Sequence, residues 1–100
     1  MLLEKRIEQS LVQGVKARGG LCLKFVSPGT PGVPDRIVIM PNGGVYFVEL
    51  KTTIGRLSNI QRWVVEELRK RGADVRVLRG MEEARAFLAE LLPEKTGDAV

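Results

Sequence analysis

The apolar residues of this chain fall into two spacings that alternate along it. Ile7, Leu11 and Val15 recur every four residues with Val12 beside them, predicting a helix over 3–18 that Gly19-Gly20 closes. Leu21 to Val26 reads as a short strand. Residues 27–34, Ser-Pro-Gly-Thr-Pro-Gly-Val-Pro, form a loop with few backbone options. A β-branched strand over 36–40, a turn at Asn42-Gly43 and a returning strand over 45–51 predict a hairpin. Ile60, Val64 and Leu68 share one face of a predicted helix over 59–71, with Trp63 beside them as a core or interface residue. Ser58 and Gln61 have the spacing of a capping box at its start. A strand over 75–78, a helix over 81–92 carrying Ala84, Phe87, Leu88 and Leu91, and a polar tail over 93–100 complete the chain. The order α-β-β-β-α-β-α predicts one α/β domain over residues 1–92, a mixed sheet with helices on its faces.

Charges on the hairpin break this apolar pattern. Asp35 opens one strand, and Glu49 and Lys51 lie near the end of the other. Period-two alternation puts Val45, Phe47, Glu49 and Lys51 on one face, and Tyr46, Val48 and Leu50 on the other. Pairing of the strands puts residue 35 near residue 50, so Asp35 and Glu49 converge. Asp, Glu and Lys are almost never fully buried unless paired. Hard oxygen ligands in this number suit Mg²⁺, which keeps several waters and takes one or two carboxylates together with substrate phosphate. The bland alternative is a same-face ion pair on an exposed sheet face.

Composition narrows the chemistry. The absence of histidine removes Cys/His zinc sites and histidine bases, and the single cysteine, Cys22, leaves no intrachain disulfide. A net charge of +4 favours an anionic partner, nucleic acid first. From Lys51 onward Arg56, Arg62, Arg69, Lys70, Arg71, Arg76 and Arg79 face only Glu66, Glu67 and Asp74 before position 80. No apolar run approaches the ~20 residues of a membrane span, and Met1-Leu2-Leu3 leads straight into charges, unlike a signal peptide. The expectation is an intracellular protein with no membrane partner.

The motif Pro34-Asp35 … Glu49-Leu50-Lys51 resembles that of the PD-(D/E)xK nuclease superfamily. Its surroundings narrow the resemblance: Glu4 three residues before Ile7, Lys24-Phe25-Val26-Ser27-Pro28, Gly32-Val33-Pro34-Asp35-Arg36-Ile37, Val48-Glu49-Leu50-Lys51, Gly55-Arg56-Leu57-Ser58 and Gln61-Arg62. In this order, over roughly residues 3–80, they look like the VRR-NUC family (virus-type replication-repair nucleases) in its small stand-alone form. The resemblance implies a restriction-endonuclease-like core and a metal-dependent DNA endonuclease. Asp35 and Glu49 would be metal ligands, Leu50 would add its backbone carbonyl, and Lys51 would be the catalytic lysine. Glu4 would complete the metal site directly or through water, and Gln61 would orient Lys51 or substrate. Mg²⁺ would be the cofactor, with Mn²⁺ substituting. The implied substrate is branched DNA, a four-way (Holliday) junction cut by a homodimer, in a bacterial cytoplasm or nucleoid or, if phage-encoded, in the host cytoplasm.

Several positions carry two readings. Glu8 competes with Glu4, since both lie on or near the apolar stripe of the first helix. The capping box accounts for Gln61 without any catalytic role. Ser27, Lys24, Arg36, Arg56 and Arg62 are candidate DNA-phosphate contacts, against a turn serine and solvated strand-edge or helix-surface cations. The rival functions are a flap or nicking repair nuclease, an RNA-processing nuclease of the same fold, and a catalytically silent DNA-binding module.

Overall fold

The computed structural model describes residues 2–91, so the expected polar tail lies outside the described residues. The elements are α1 (Leu2–Ala17), β1 (Leu21–Lys24), β2 (Arg36–Ile39), β3 (Val45–Lys51), α2 (Asn59–Lys70), β4 (Asp74–Arg79) and α3 (Gly80–Glu90). The predicted α/β order holds. β1 is shorter than expected, because Phe25 and Val26 leave the ladder as the Pro/Gly segment begins, although the Phe25 N–H still donates to the Asp35 carbonyl at 2.9 Å. β4 is longer by a residue at each end, since it pairs along most of β3.

The strands form one sheet in the order β1-β2-β3-β4. β1, β2 and β3 are an antiparallel meander, and β4 runs parallel to β3 after the α2 crossover. Between β2 and β3 the chain turns over Pro41-Asn42-Gly43. The Gly43 N–H donates to the Met40 carbonyl at 2.8 Å, and Gly43 takes φ +92°, a conformation that costs glycine nothing and a residue with a Cβ much more. This loop sets the register, with Arg36 opposite Val48 and Ile37 opposite Phe47. Continued by one residue, it puts Asp35 opposite Glu49, one position from the expected neighbour, residue 50.

The two faces of the sheet differ. On one, α1 and α3 pack together over Val38, Val48, Leu50 and Leu78, and Ile7, Leu11, Val15, Ala84, Phe87 and Leu88 fill the space between. Each fully buried Val, Leu, Ile or Phe among them contributes about 1.5–3 kcal/mol. Tyr46 meets Phe87 edge to face at 5.3 Å between ring centroids. On the other face α2 packs mainly on β4, burying Val64, Val65 and Val75. That placement corrects the predicted α2 stripe: Ile60 is 44% and Trp63 54% exposed, so Trp63 is not a core residue. The helix lies over β4 at one edge of the sheet, leaving Leu21 and Leu23 of β1, at the opposite edge, and Val45 of β3 exposed.

Candidate active site

Alternation along β3 sends Val48 and Leu50 into the α1/α3 core and Glu49 and Lys51 to the α2 side. Glu49 is the one charged side chain buried among the described residues, at 2% exposure. Its Oε2 accepts a hydrogen bond from Gln61 Nε2 at 3.1 Å and lies 3.5 Å from Lys51 Nζ. Asp35 faces the same point from the start of β2, and its Oδ2 accepts from the Leu50 N–H at 2.9 Å. The Pro/Gly loop holds Asp35 there, with Pro34 buried and the Asp35 carbonyl bonded to Phe25.

Gln61 serves two partners at once. Its Oε1 accepts from the Ser58 N–H at 2.9 Å, and its own N–H donates to Ser58 Oγ at 3.1 Å, completing the capping box. Because Ser58 takes the amide oxygen, the amide NH₂ is turned toward Glu49. The cap and the site are therefore one arrangement. The partner of Gln61 is Glu49, where Lys51 or substrate was expected.

Electrostatics mark the same residue. The Glu49 carboxyl is pushed up to about 7 by burial first, then by repulsion from Asp35 and, to a smaller extent, Glu4, against the opposing pull of Lys51. A nearby cation would relieve that repulsion, and two carboxylates with a backbone carbonyl are hard oxygen donors of the kind Mg²⁺ and Mn²⁺ take. Among the described residues no three His, Cys, Asp or Glu side chains converge as a complete metal cage. Two carboxylates and one carbonyl fit a cation that keeps waters and shares substrate oxygens, and Glu4 lies close enough to add to the repulsion on Glu49.

Other predicted positions separate clearly. Glu8 is held elsewhere: Arg36 reaches its Oε2 with Nη2 at 2.8 Å and Nε at 2.9 Å, and Lys24 Nζ lies at 3.8 Å. The third Arg36 donor, Nη1, bonds to the Cys22 carbonyl at 3.3 Å. Lys24 and Arg36 were expected to flank the site as phosphate contacts. The structure instead turns both to the α1 side of the sheet, because even-numbered β2 residues share the face of Val38, so Arg36 is a clamp between α1 and the sheet. The Ser27 carbonyl closes a turn to the Thr30 N–H at 3.1 Å, the turn-forming reading of that residue.

Arg56 and Arg62 line an open cavity of about 500 Å³ together with Arg79, which sequence reasoning counted only as part of a basic stretch. Arg79 pairs in register with Lys51 across the β3–β4 ladder. Parallel pairing of these two strands was the missing signal, and it depends on the α2 crossover.

The comparisons bear on family and fold. The VRR-NUC domain family model matches residues 4–82. A solved structure of a VRR-NUC domain superposes with a TM-score of 0.82 at 32% identity, covering 86% of this chain and 94% of that one. "Putative nuclease p44" of Acyrthosiphon pisum secondary endosymbiont phage 1 is 53% identical over 51 residues, which cover 51% of this chain. The match spans 55% of that relative's length. With the family model covering most of the chain, from Glu4 in α1 to Glu82 in α3, and the fold shared with a solved member, this protein belongs to the VRR-NUC domain family.

Proposed function

We propose that the chain is a Mg²⁺-dependent DNA endonuclease that hydrolyses phosphodiesters in branched DNA, a four-way junction first, as a homodimer. The observation that carries the nuclease reading is the buried Glu49, set between Asp35, Lys51 and Gln61 on adjoining elements. Asp35, Glu49 and the Leu50 carbonyl would hold the cation, with Glu4 acting through water. When bound, Mg²⁺ (or Mn²⁺ in its place) polarises a phosphoryl oxygen and lowers the pKa of a water molecule.

The chain's own residues do the rest. Lys51, 3.5 Å from Glu49, supplies a fixed positive charge for the extra negative charge of the pentacovalent phosphorus. Gln61 fixes the Glu49 carboxylate, so that its second oxygen is aimed without a search over rotamers. Asp35 is pinned by the Leu50 N–H, which holds it opposite Glu49.

A homodimer is supported by the exposed apolar side chains Leu21, Leu23 and Val45 on the sheet face that α2 leaves open, and by the exposed Trp63 on α2 itself. Two-fold symmetry would present two sites to a two-fold junction. No helix among the described residues is long and apolar enough to cross a membrane, and an intracellular setting is part of this proposal.

The test uses labelled four-way, flap and linear duplex DNA with Mg²⁺ or with EDTA. Cation-dependent cutting of the junction, lost in Lys51→Ala, is the expected result. Binding without cleavage under either Mg²⁺ or Mn²⁺ would leave only a DNA-binding module. Equal cutting of linear duplex would remove the junction from the proposal, and preferred cutting of the flap would favour the repair-nuclease alternative. Sedimentation of the free protein decides the dimer.

A further inference from the structure

Beside the carboxylate site lies a second cluster of charge with one sign. The cavity next to Lys51 is lined by Arg56, Arg62 and Arg79, with Thr53 and Gly55 between them and no acidic residue. Arg79 stands opposite Lys51 in the parallel β3–β4 register. Neighbouring strands lie ~4.8 Å apart, so the two cations emerge side by side on the face that carries Glu49. The Arg79 guanidinium is aimed rather than free: its Nε donates to the Gly55 carbonyl at 3.1 Å. That bond uses one edge of the fork and leaves the terminal nitrogens for another acceptor.

The loop on the far wall is fixed too. Gly80 takes φ +82°, and a Cβ there would lie 2.5 Å from Thr53 Cγ2, so the loop after β3 packs directly on the start of α3. Among the described residues Arg56 and Arg62 have no ion-pair partner, in contrast to Arg71 and Arg76, which pair with Glu67 and with Asp74 and Glu90. Guanidinium groups without carboxylates in a concave wall match the oxygens of a phosphate group.

We infer that the Arg56–Arg62–Arg79 basin binds a phosphodiester of the cleaved strand next to the scissile one, with Arg79 as its central ligand. The inference rests on the nuclease reading and adds a substrate subsite to it. A fixed neighbouring phosphate sets where along the strand the scissile group stops against Lys51, so the basin acts on register as well as affinity.

The test needs neither metal nor turnover. A fluorescein-labelled four-way junction carries one neutral methylphosphonate at a time along one strand, and binding is measured in EDTA by anisotropy for wild type, Arg79→Gln and Arg62→Gln. In wild type, one position should weaken binding by roughly tenfold or more, the size of one charge-assisted hydrogen bond lost. In both variants the same substitution should cost less than in wild type, least in Arg79→Gln, and the dependence of log K on log salt should flatten by about one phosphate's worth. Identical scan profiles in wild type and variants would overturn the inference. Arg79→Gln also removes the Gly55 bond, so a melting curve accompanies it; if that variant is unfolded, Arg62→Gln decides alone. Lack of cleavage in the Mg²⁺ assay bears on the nuclease reading and leaves the scan result standing.

Discussion

Two glutamates on opposite faces of the sheet show how burial and partner geometry separate structure from chemistry. Glu8 sits between α1 and β2, where Arg36 grips one of its oxygens with two nitrogens at 2.8 and 2.9 Å. A paired carboxylate of this kind is a clamp. Glu49 is more deeply buried, has a lysine at 3.5 Å, and has a second carboxylate, Asp35, repelling it. Burial first, and then repulsion from Asp35 that Lys51 only partly offsets, push its carboxyl up to about 7. The difference teaches that a charge the protein has already matched is structural, and a charge left unmatched inside the fold calls for something from outside.

The comparison breaks most decisively at Lys51. Lys51→Ala should reduce cleavage on the order of 10²- to 10³-fold, as removal of one preorganised stabilising group does, with binding in EDTA little changed. Arg36→Gln, on the opposite face, should leave the cleavage rate and the salt dependence of binding as they are. A large loss of cleavage from Arg36→Gln with the fold intact would erase the distinction between the two clusters.

Next in size is the pH dependence of metal-free stability. The Glu49 carboxyl releases its proton near its ordinary value of 4.5 when the chain is unfolded and only near 7 in the fold. Between those values the folded state binds more proton, so the Glu49 contribution to stability falls as pH rises through the window, by roughly 3 kcal/mol in all. Urea unfolding in EDTA at pH 5 and pH 8 checks this. Glu49→Gln should remove that part of the slope and be the more stable protein at pH 8, while losing cleavage. Parallel pH profiles for the two proteins would refute it. Added Mg²⁺ should stabilise wild type at pH 8 and have much less effect on Glu49→Gln.

For the clamp, Arg36→Gln should cost about 1–3 kcal/mol, since Glu8 and the Cys22 carbonyl both lose a donor. Equilibrium unfolding measures it, and Glu8→Gln in the same background should recover part of the loss, because the unpaired charge is then gone.

The smallest expected effects divide the two roles of Gln61. Ser58→Ala removes one cap bond and should cost about 1 kcal/mol while cleavage stays near wild type. Gln61→Leu should cost a similar amount and also slow cleavage about tenfold, as loss of one hydrogen bond to Glu49 implies. Equal cleavage rates for the two variants would reduce Gln61 to a cap.

Much of this was legible in local pattern. Helical and strand periods placed α1, the hairpin, α2, β4 and α3 in order, and alternation alone put Glu49 and Lys51 on one face. The S-x-x-Q spacing is enough to identify Ser58 and Gln61 as a capping box. Misreadings came where a side chain's face depends on what lies across from it. Trp63 and Ile60 fit an apolar helical stripe, yet α2 settled over β4 and left them outside. Arg36 adjoins Asp35 in sequence, yet strand alternation sends it to the other side of the sheet, onto Glu8.

By itself the sequence determined the elements, the motif and its charges, because propensity, period and turn chemistry act within a few residues. Tertiary structure decided which partners the acids meet. The hairpin turn had already brought Asp35 to Glu49, but the packing of α1 against the sheet gave Glu8 to Arg36, and the packing of α2 brought Gln61 onto Glu49. The parallel pairing of β4 put Arg79 beside Lys51. Those are contacts between residues distant in the chain, and their geometry follows from how whole elements pack, which no local pattern encodes.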